Sequence, residues 1–418
     1  MREILSSLDI GSSKIKLVVA EVLNGNTNVL CALDEQSRGV KKGAIYNPDE
    51  TEYAIKKILK KAEENLGLKI NKTIVSVNED SCDFTIGEAQ IDIQEDGEVT
   101  PSAIQKVLQQ SIAGNMVPGN EIVTIIPIKY KVDERSTINP KGMKGASLQV
   151  KTVIVSVPKR EIYTVAKILE KCNCDVVDVM IPSMGAYYAH KEYLESKSAT
   201  LIKENTGVVI DIGAETTNIA VINKGIIINN NVLSIGGNLV DQDLAFIYKL
   251  ELDKAKEVKE KFALANKRNA SAKNMQEAVN TLGEKVSLNQ YEVTEVCMSR
   301  LHEMLNQAKN EINYLTKKEI SYIIISGGLT EIKDFPLEIE SVFGTNAQLG
   351  KINIVGVRDN KYASCVGMIK YFDNKLKQKD REFSIFNQDD LDILNGKENK
   401  KALSGDSILG KVFGLFNK

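Results

Sequence analysis

An apolar strand that ends on an acid, followed by a glycine turn and a second apolar strand, occurs twice in this chain. The first copy is Leu8-Asp9-Ile10-Gly11-Ser12-Ser13-Lys14-Ile15-Lys16-Leu17-Val18-Val19, and the second runs from Val208 through Asp211-Ile212-Gly213-Ala214-Glu215-Thr216-Thr217 to Ile222. Asp9 aligns with Asp211 and Gly11 with Gly213. β-Branched, apolar arms mark buried strands, and the glycine permits a tight turn and close approach by a ligand. One such hairpin is a common turn with no further meaning. Two in register imply related halves that face one ligand, because an acid at a strand end holds a hydrated metal ion and turn N–H groups with hydroxyls grip phosphate.

Length and composition fit that reading. The 418 residues are 43% hydrophobic and 26% charged, enough for two or more cores, and the net charge of −2 gives no basic excess for nucleic acid. Arg2 and Glu3 lead into a short apolar run broken by Ser6 and Ser7, unlike a signal peptide, and no apolar run is long enough to span a bilayer. The cysteines, apart from Cys172 and Cys174, are scattered, and with only His190 and His302 available they read as free thiols in a reducing compartment.

Turn and cap signals divide the rest. Asn47 and Pro48 open a helix that Gly67 closes. Residues 83–161 alternate strands around one helix and read as a small α+β unit inserted into the first domain. Past the second hairpin, Gly236-Gly237 precede a helix predicted to start at Leu239 with Asn238 as its cap, a natural anion site. Asp253 is expected to cap the next helix, residues 266–278 to be a surface loop, and a long amphipathic helix to run from about Glu292 to Lys317. The strand Tyr322–Ile325 ends at Ser326-Gly327-Gly328. Residues 373–406 are polar and charged and read as a linker, apart from an apolar patch at 383–386.

The last twelve residues differ again. At ~100° per residue, Ile408, Leu409, Val412, Phe413, Leu415 and Phe416 share one face of a helix, with Lys411 and Lys418 on the other side. Six such side chains at about 1.5 kcal/mol each give gross burial of ~9 kcal/mol on a lipid surface. A helix docked on the core is the competing reading, and the long polar approach argues against it.

The order of these elements resembles the actin and heat-shock-chaperone ATPase superfamily: two Asp-Ile-Gly hairpins, a glycine pair before a helix, and a strand ending in Ser-Gly-Gly. Within it, the inserted unit, the segment Asn139-Pro140-Lys141-Gly142-Met143 and the amphipathic C-terminus are similar to the bacterial FtsA family. The resemblance implies an α/β, actin-like two-lobed ATPase fold of duplicated ribonuclease H-like domains with a small inserted α+β subdomain. Its parts would be 1–82, 162–206 and 351–372 for the first lobe, 83–161 for the insert, 207–225 and 311–350 for the second lobe, and 226–310 for its outer subdomain. A linker, 373–406, would lead to a membrane-targeting helix, 407–418.

The resemblance also implies ATP with Mg²⁺ in the cleft. Asp9 and Asp211 would lie near the metal. Gly11, Ser12, Ser13 and Lys14 would form one phosphate loop and Gly213, Thr216 and Thr217 the other. Gly236 and Gly237 would approach phosphate or ribose, while Lys259, Gly327, Gly328 and Leu329 would border the adenosine. Lys256 stands where the family usually has glutamate, so Glu257 is not carried over as a ribose ligand. Ile181, just before Pro182, stands where efficient ATPases place Gln or Glu to orient the attacking water, which implies slow turnover and a mainly structural nucleotide.

The family's role would make the chain a division protein. It would polymerise with itself on anionic inner-leaflet lipid at the cytoplasmic face of the septal membrane. It would also bind the C-terminal peptide of FtsZ and engage downstream division proteins. Two alternatives stay open: a small-molecule kinase of the same superfamily, with Asp80, Asp83 or Asp178 as base, and the pilus-assembly actin-like protein.

Overall fold

The computed structural model describes residues 2–23, 25–93, 97–379 and 381–394. The predicted membrane-targeting helix at 407–418, including Ile408, Leu409, Lys411, Val412, Phe413, Leu415, Phe416 and Lys418, lies outside the described residues. Among those residues no helix is long and apolar enough to cross a membrane.

Two five-stranded sheets share one topology. In the first, the strands Asn26–Gln36, Lys14–Leu23 and Glu3–Ile10 form an antiparallel meander, and Lys72–Ser76 and Asp175–Met180 add in parallel beyond Glu3–Ile10. In the second, Ile226–Leu233, Thr217–Asn223 and Thr206–Ile212 form the meander, with Ile320–Ser326 and Ala347–Leu349 added in parallel. Strands covered on both faces need apolar side chains at nearly every position. Val208, Val209 and Ile210 accordingly are all fully buried, as are Leu17, Val18 and Val19.

The insert is a separate antiparallel sheet, Asp83–Asp92, Ser147–Pro158, Asn120–Val132 and Arg135–Thr137 in spatial order. The helix Pro101–Ile112 packs on it around Val107, Leu148 and Val132.

Between the two main sheets run Pro182–Lys197 and Ala363–Gln378, which cross closely. A Cβ on Gly367 would sit 1.7 Å from the carbonyl oxygen of Gly185, so only two glycines allow this approach. One face of the second sheet, through Val209, Ala220, Ile222 and Ile324, joins the same apolar core as the first lobe. Its other face builds a second core with the long helix Gln290–Leu315. The first helix begins and ends as its sequence signals indicate: Asn47 accepts a hydrogen bond from the Glu50 N–H, and Gly67 closes the helix at φ 72°.

Four local expectations need correction. The helix after Gly236 spans Gly237–Tyr248, so Asn238 lies inside it; extended Gly236 precedes the first turn, and no side chain caps it. The next helix is Leu252–Lys261, preceded by Glu251, so Asp253 is in its first turn, where a carboxylate favours the helix dipole instead of capping it. Residues 266–278 are not all loop: Met275–Val279 pairs with Lys285–Asn289 in a hairpin. Only Ala278 and Leu288 of these two strands are buried, so the apolar content that would mark them as strands in the sequence is thin. The predicted linker is packed over its first part. The helix Ala363–Gln378 continues past residue 373, and Ile385, Phe386 and Leu391 are buried against the first lobe. There the Ile385 N–H donates to the Ile4 carbonyl at 2.8 Å.

Candidate functional site: a cleft between two acid-tipped hairpins

The hairpin tips have the same construction. At the first, Asp9 pairs with Lys16 across the ladder, Ile10 with Ile15, and the Gly11 N–H donates to the Lys14 carbonyl at 3.2 Å. At the second, Asp211 pairs with Asn218, Ile212 with Thr217, and the Gly213 N–H donates to the Thr216 carbonyl at 2.8 Å. A Cβ on Gly11 would come within 2.9 Å of the Lys14 carbonyl oxygen, so the turn itself requires glycine.

Both tips open into one cavity of about 410 Å³, a volume suited to a nucleotide-sized ligand. Asp9, Gly11, Ser12, Ser13 and Lys14 line it from the first lobe. Asp211, Gly213 and Thr216 line it from the second, joined by Gly237, Lys259, Gly328 and Leu329. The lobes touch across its mouth at two points. The Lys42 N–H donates to a Glu215 carboxylate oxygen at 2.6 Å, and the Lys256 ammonium reaches the Ser13 hydroxyl at 3.2 Å.

Three residues expected at the site do not line the cavity. Thr217 is buried and donates its hydroxyl to the Ile235 carbonyl. Gly236 and Gly327 serve close packing of the second lobe: a Cβ on Gly236 would meet the Ala214 backbone at 2.5 Å, and one on Gly327 the Ile212 backbone at 2.4 Å. Gly327 also adopts φ +100°, a region that favours glycine. The helix N-terminus at Gly237 is docked, not open. Its Gly237 and Asn238 N–H groups donate to the Gly213 and Ala214 carbonyls, which uses the donors an anion would need.

Two lysines expected at the site line the cavity with their ammonium groups already paired. Lys14 lines the cleft, but its ammonium pairs with Asp34 at 2.5 Å. Lys259 is buried with its ammonium held by Asp241 at 2.8 Å and by the Gly237 carbonyl at 3.1 Å. Glu257 pairs with Lys254 and Lys261 on its own helix, in line with its omission as a ribose ligand.

The cation beside the first acid is Lys16, a strand residue that no local sequence signal marks out. Its ammonium lies 2.8 Å from Asp9, whose other oxygen accepts from the Ser76 hydroxyl at 2.8 Å. Burial alone would lower Lys16, but the Asp9 carboxylate outweighs it and holds the ammonium above the usual lysine range. Burial pushes the Asp211 carboxyl up to about 6, with Lys16 opposing and Asp9 adding to the rise. Glu79, also unrecognised in the sequence, is a third acid in the cleft wall. Burial pushes it up to about 7 against two hydrogen bonds from Ser183, with Asp211 and Asp9 adding to the rise.

The other candidate bases lie elsewhere. Asp80 and Asp83 do not line the cleft, and Asp178 pairs with Lys375 at 2.6 Å. Ile181 is fully buried in the first lobe's core, so its side chain does not face the cleft at all.

Comparison with known proteins agrees with this architecture. A family model described as cell division protein FtsA matches residues 208–367, and one described as the SHS2 domain inserted in FtsA matches 81–156. Cell division protein FtsA of Bacillus subtilis (strain 168) is 26% identical over 377 residues, covering 88% of this chain and 83% of that protein. FtsA of Buchnera aphidicola subsp. Acyrthosiphon pisum is 27% identical, covering 92% and 95%.

Among solved structures, a PilM–PilN type IV pilus biogenesis complex matches with a TM-score of 0.58 at 15% identity, over 87% of this chain and 97% of that one. MreB5 of Spiroplasma citri bound to ADP matches with a TM-score of 0.55 at 12% identity, over 90% and 98%. These likenesses show the actin-like fold, in which the duplicated sheets, the cleft and the insert all have their place. With one FtsA model on the second lobe, the other on the insert, and FtsA relatives aligned over most of the length, the chain belongs to the FtsA family of cell division proteins.

Proposed function

We propose that the chain is a nucleotide-dependent membrane adaptor of cell division. In this reading ATP with Mg²⁺ occupies the cleft, copies of the chain assemble into a polymer, and residues 407–418 lie on anionic lipid at the cytoplasmic face of the septal membrane. The C-terminal peptide of FtsZ and downstream division proteins are its partners. The observation that carries the reading is the meeting of two acid-tipped glycine turns, one from each lobe, in a single cavity. The structural relative MreB5 was solved with ADP and with AMPPNP, which favours the same ligand class here.

The residues present fit such a ligand. Asp9 and Asp211 share the Lys16 ammonium, so negative charge is in excess around these two acids. A divalent cation would relieve it. No group of three or more acids, histidines or cysteines among the described residues forms a protein cage for a metal, which suits Mg²⁺, an ion that keeps several of its waters. Asp9 and Asp211 would hold it through those waters, and the ion would neutralise phosphate charge.

The chain's own contributions are distinct. Ser12 and Ser13 bring hydroxyls from the first turn, and Thr216 brings one from the second. Lys256 and Glu215, which already bridge the lobes, hold the mouth narrow.

Asp211→Asn tests the reading by titration calorimetry of ATP with and without Mg²⁺. The variant is expected to lose about tenfold or more in Mg²⁺-dependent affinity, while affinity in the absence of metal changes little. Unchanged affinity with Mg²⁺ would refute the assignment of this cleft.

A further inference from the structure

The strand Lys72–Ser76 lies parallel beside Glu3–Ile10, and the chain leaving it carries Glu79 into the cleft wall. Glu79 is 3% exposed. One carboxylate oxygen, Oε2, is fixed at the first turn of Pro182–Lys197, accepting from the Ser183 N–H at 3.0 Å and from its hydroxyl at 2.8 Å. The other, Oε1, is buried with no hydrogen-bond partner among the described residues. A buried carboxylate oxygen without a donor is costly, so this arrangement is complete only when a donor arrives or a proton sits there.

Several elements bring defined groups to Glu79: Asp9 from Glu3–Ile10, Asp211 from Thr206–Ile212, Ser183 from the helix and Cys82 from its own loop, while Lys16 of Lys14–Leu23 lines the same cavity. Burial chiefly disfavours ionisation, and the carboxylates add to that. The Ser183 donors at a helix N-terminus favour it. These opposed influences poise the group near neutrality, where a general base is most effective.

Resting on the nucleotide reading above, we propose that Glu79 is the general base of a slow hydrolysis in this cleft, doing from the wall what buried Ile181 cannot. Glu79 Oε1 accepts a proton from the water that attacks the terminal phosphorus of the bound triphosphate. The water oxygen forms the new P–O bond, and the bond from that phosphorus to the bridging oxygen breaks. The products are the diphosphate and inorganic phosphate, and the proton passes from Glu79 to solvent. No co-reactant beyond water is required. Ser183 is a positioning residue: it holds Oε2 and so leaves Oε1 as the free acceptor.

The test uses the full chain with ATP and Mg²⁺. Binding is measured by calorimetry and phosphate release under single-turnover conditions across pH. Glu79→Gln keeps an acceptor for Ser183, so it is expected to bind ATP within about threefold of wild type. It should release phosphate about a hundredfold more slowly and lose the rise of rate with pH. Ser183→Ala removes one hydrogen bond to the ionised form and should move that rise to higher pH.

Glu79→Gln with wild-type turnover, or a pH profile unaltered in both variants, overturns the proposal. Wild-type protein that binds ATP but releases no phosphate also overturns it while leaving the nucleotide reading intact. Wild-type protein that binds no ATP overturns both.

Discussion

Glu79 shows how a single buried acid couples the cleft to stability. Its carboxyl moves from an ordinary value of 4.5 to about 7 on folding, chiefly through burial. Below the lower value both states carry the proton and nothing is lost. Between the two values the folded chain holds a proton that the unfolded chain has released, so stability falls as pH rises through this window and is level above it. Asp211, raised to about 6, acts with the same sign. Glu79→Gln removes one share of that slope. In nucleotide-free protein the variant should therefore gain on wild type between about pH 5 and about pH 8, by at most ~3 kcal/mol. Urea denaturation at the two pH values reads this directly, and an equal offset at both would contradict it.

The same scale explains what the sequence could disclose of the site. Asp9, Asp211, Gly11 and Gly213 announce themselves because strand alternation, an acid and a turn glycine are all local. Lys16 is two positions past Lys14, and only the hairpin register, which sets it opposite Asp9, distinguishes them. Glu79 is unreadable for a different reason: its partner Ser183 stands 104 residues further along the chain and meets it only through the tertiary fold of the first lobe.

Among the elements, the segment from residue 381 to Leu394 alters the picture most. Its composition is that of a linker, and a sparse set of apolar residues outweighs that composition. Phe383 packs edge-on against Phe372 with ring centroids 5.7 Å apart. Ile4, on the first strand, both donates to the Ser384 hydroxyl and accepts from the Ile385 N–H. Burial of Ile385, Phe386 and Leu391 contributes roughly 2 kcal/mol gross for each side chain, before the entropy of ordering the segment.

Truncation after Leu394 should consequently leave the melting temperature unchanged, whereas truncation after Gln378 should lower it. Scanning calorimetry distinguishes the two, and equal melting temperatures would return the segment to the role of a tether. The hairpin Met275–Val279 with Lys285–Asn289 was illegible for the opposite reason, since with so few buried side chains its backbone pairing carries the structure.

At the scale of the whole molecule, the proposed lipid attachment and the nucleotide cleft fall on separate parts of the chain. Two polar contacts across the cleft mouth, Lys42 with Glu215 and Lys256 with Ser13, lie far in sequence from residues 407–418, as does the apolar core that the lobes share. Deleting 407–418 should therefore leave ATP affinity as it is and abolish sedimentation with anionic vesicles. A single tail has limited strength. Its two lysines contribute on the order of 1 kcal/mol each at a negative surface, so neutral vesicles should retain the intact chain about thirtyfold less well. Linked tails add effective concentration without new contacts, so retention should rise steeply with protein concentration if copies assemble on the surface. If the deleted chain stays on anionic vesicles, the lipid contact must lie on the folded lobes. If it leaves the vesicles but also loses ATP, the tail and the cleft are coupled, contrary to the separation proposed.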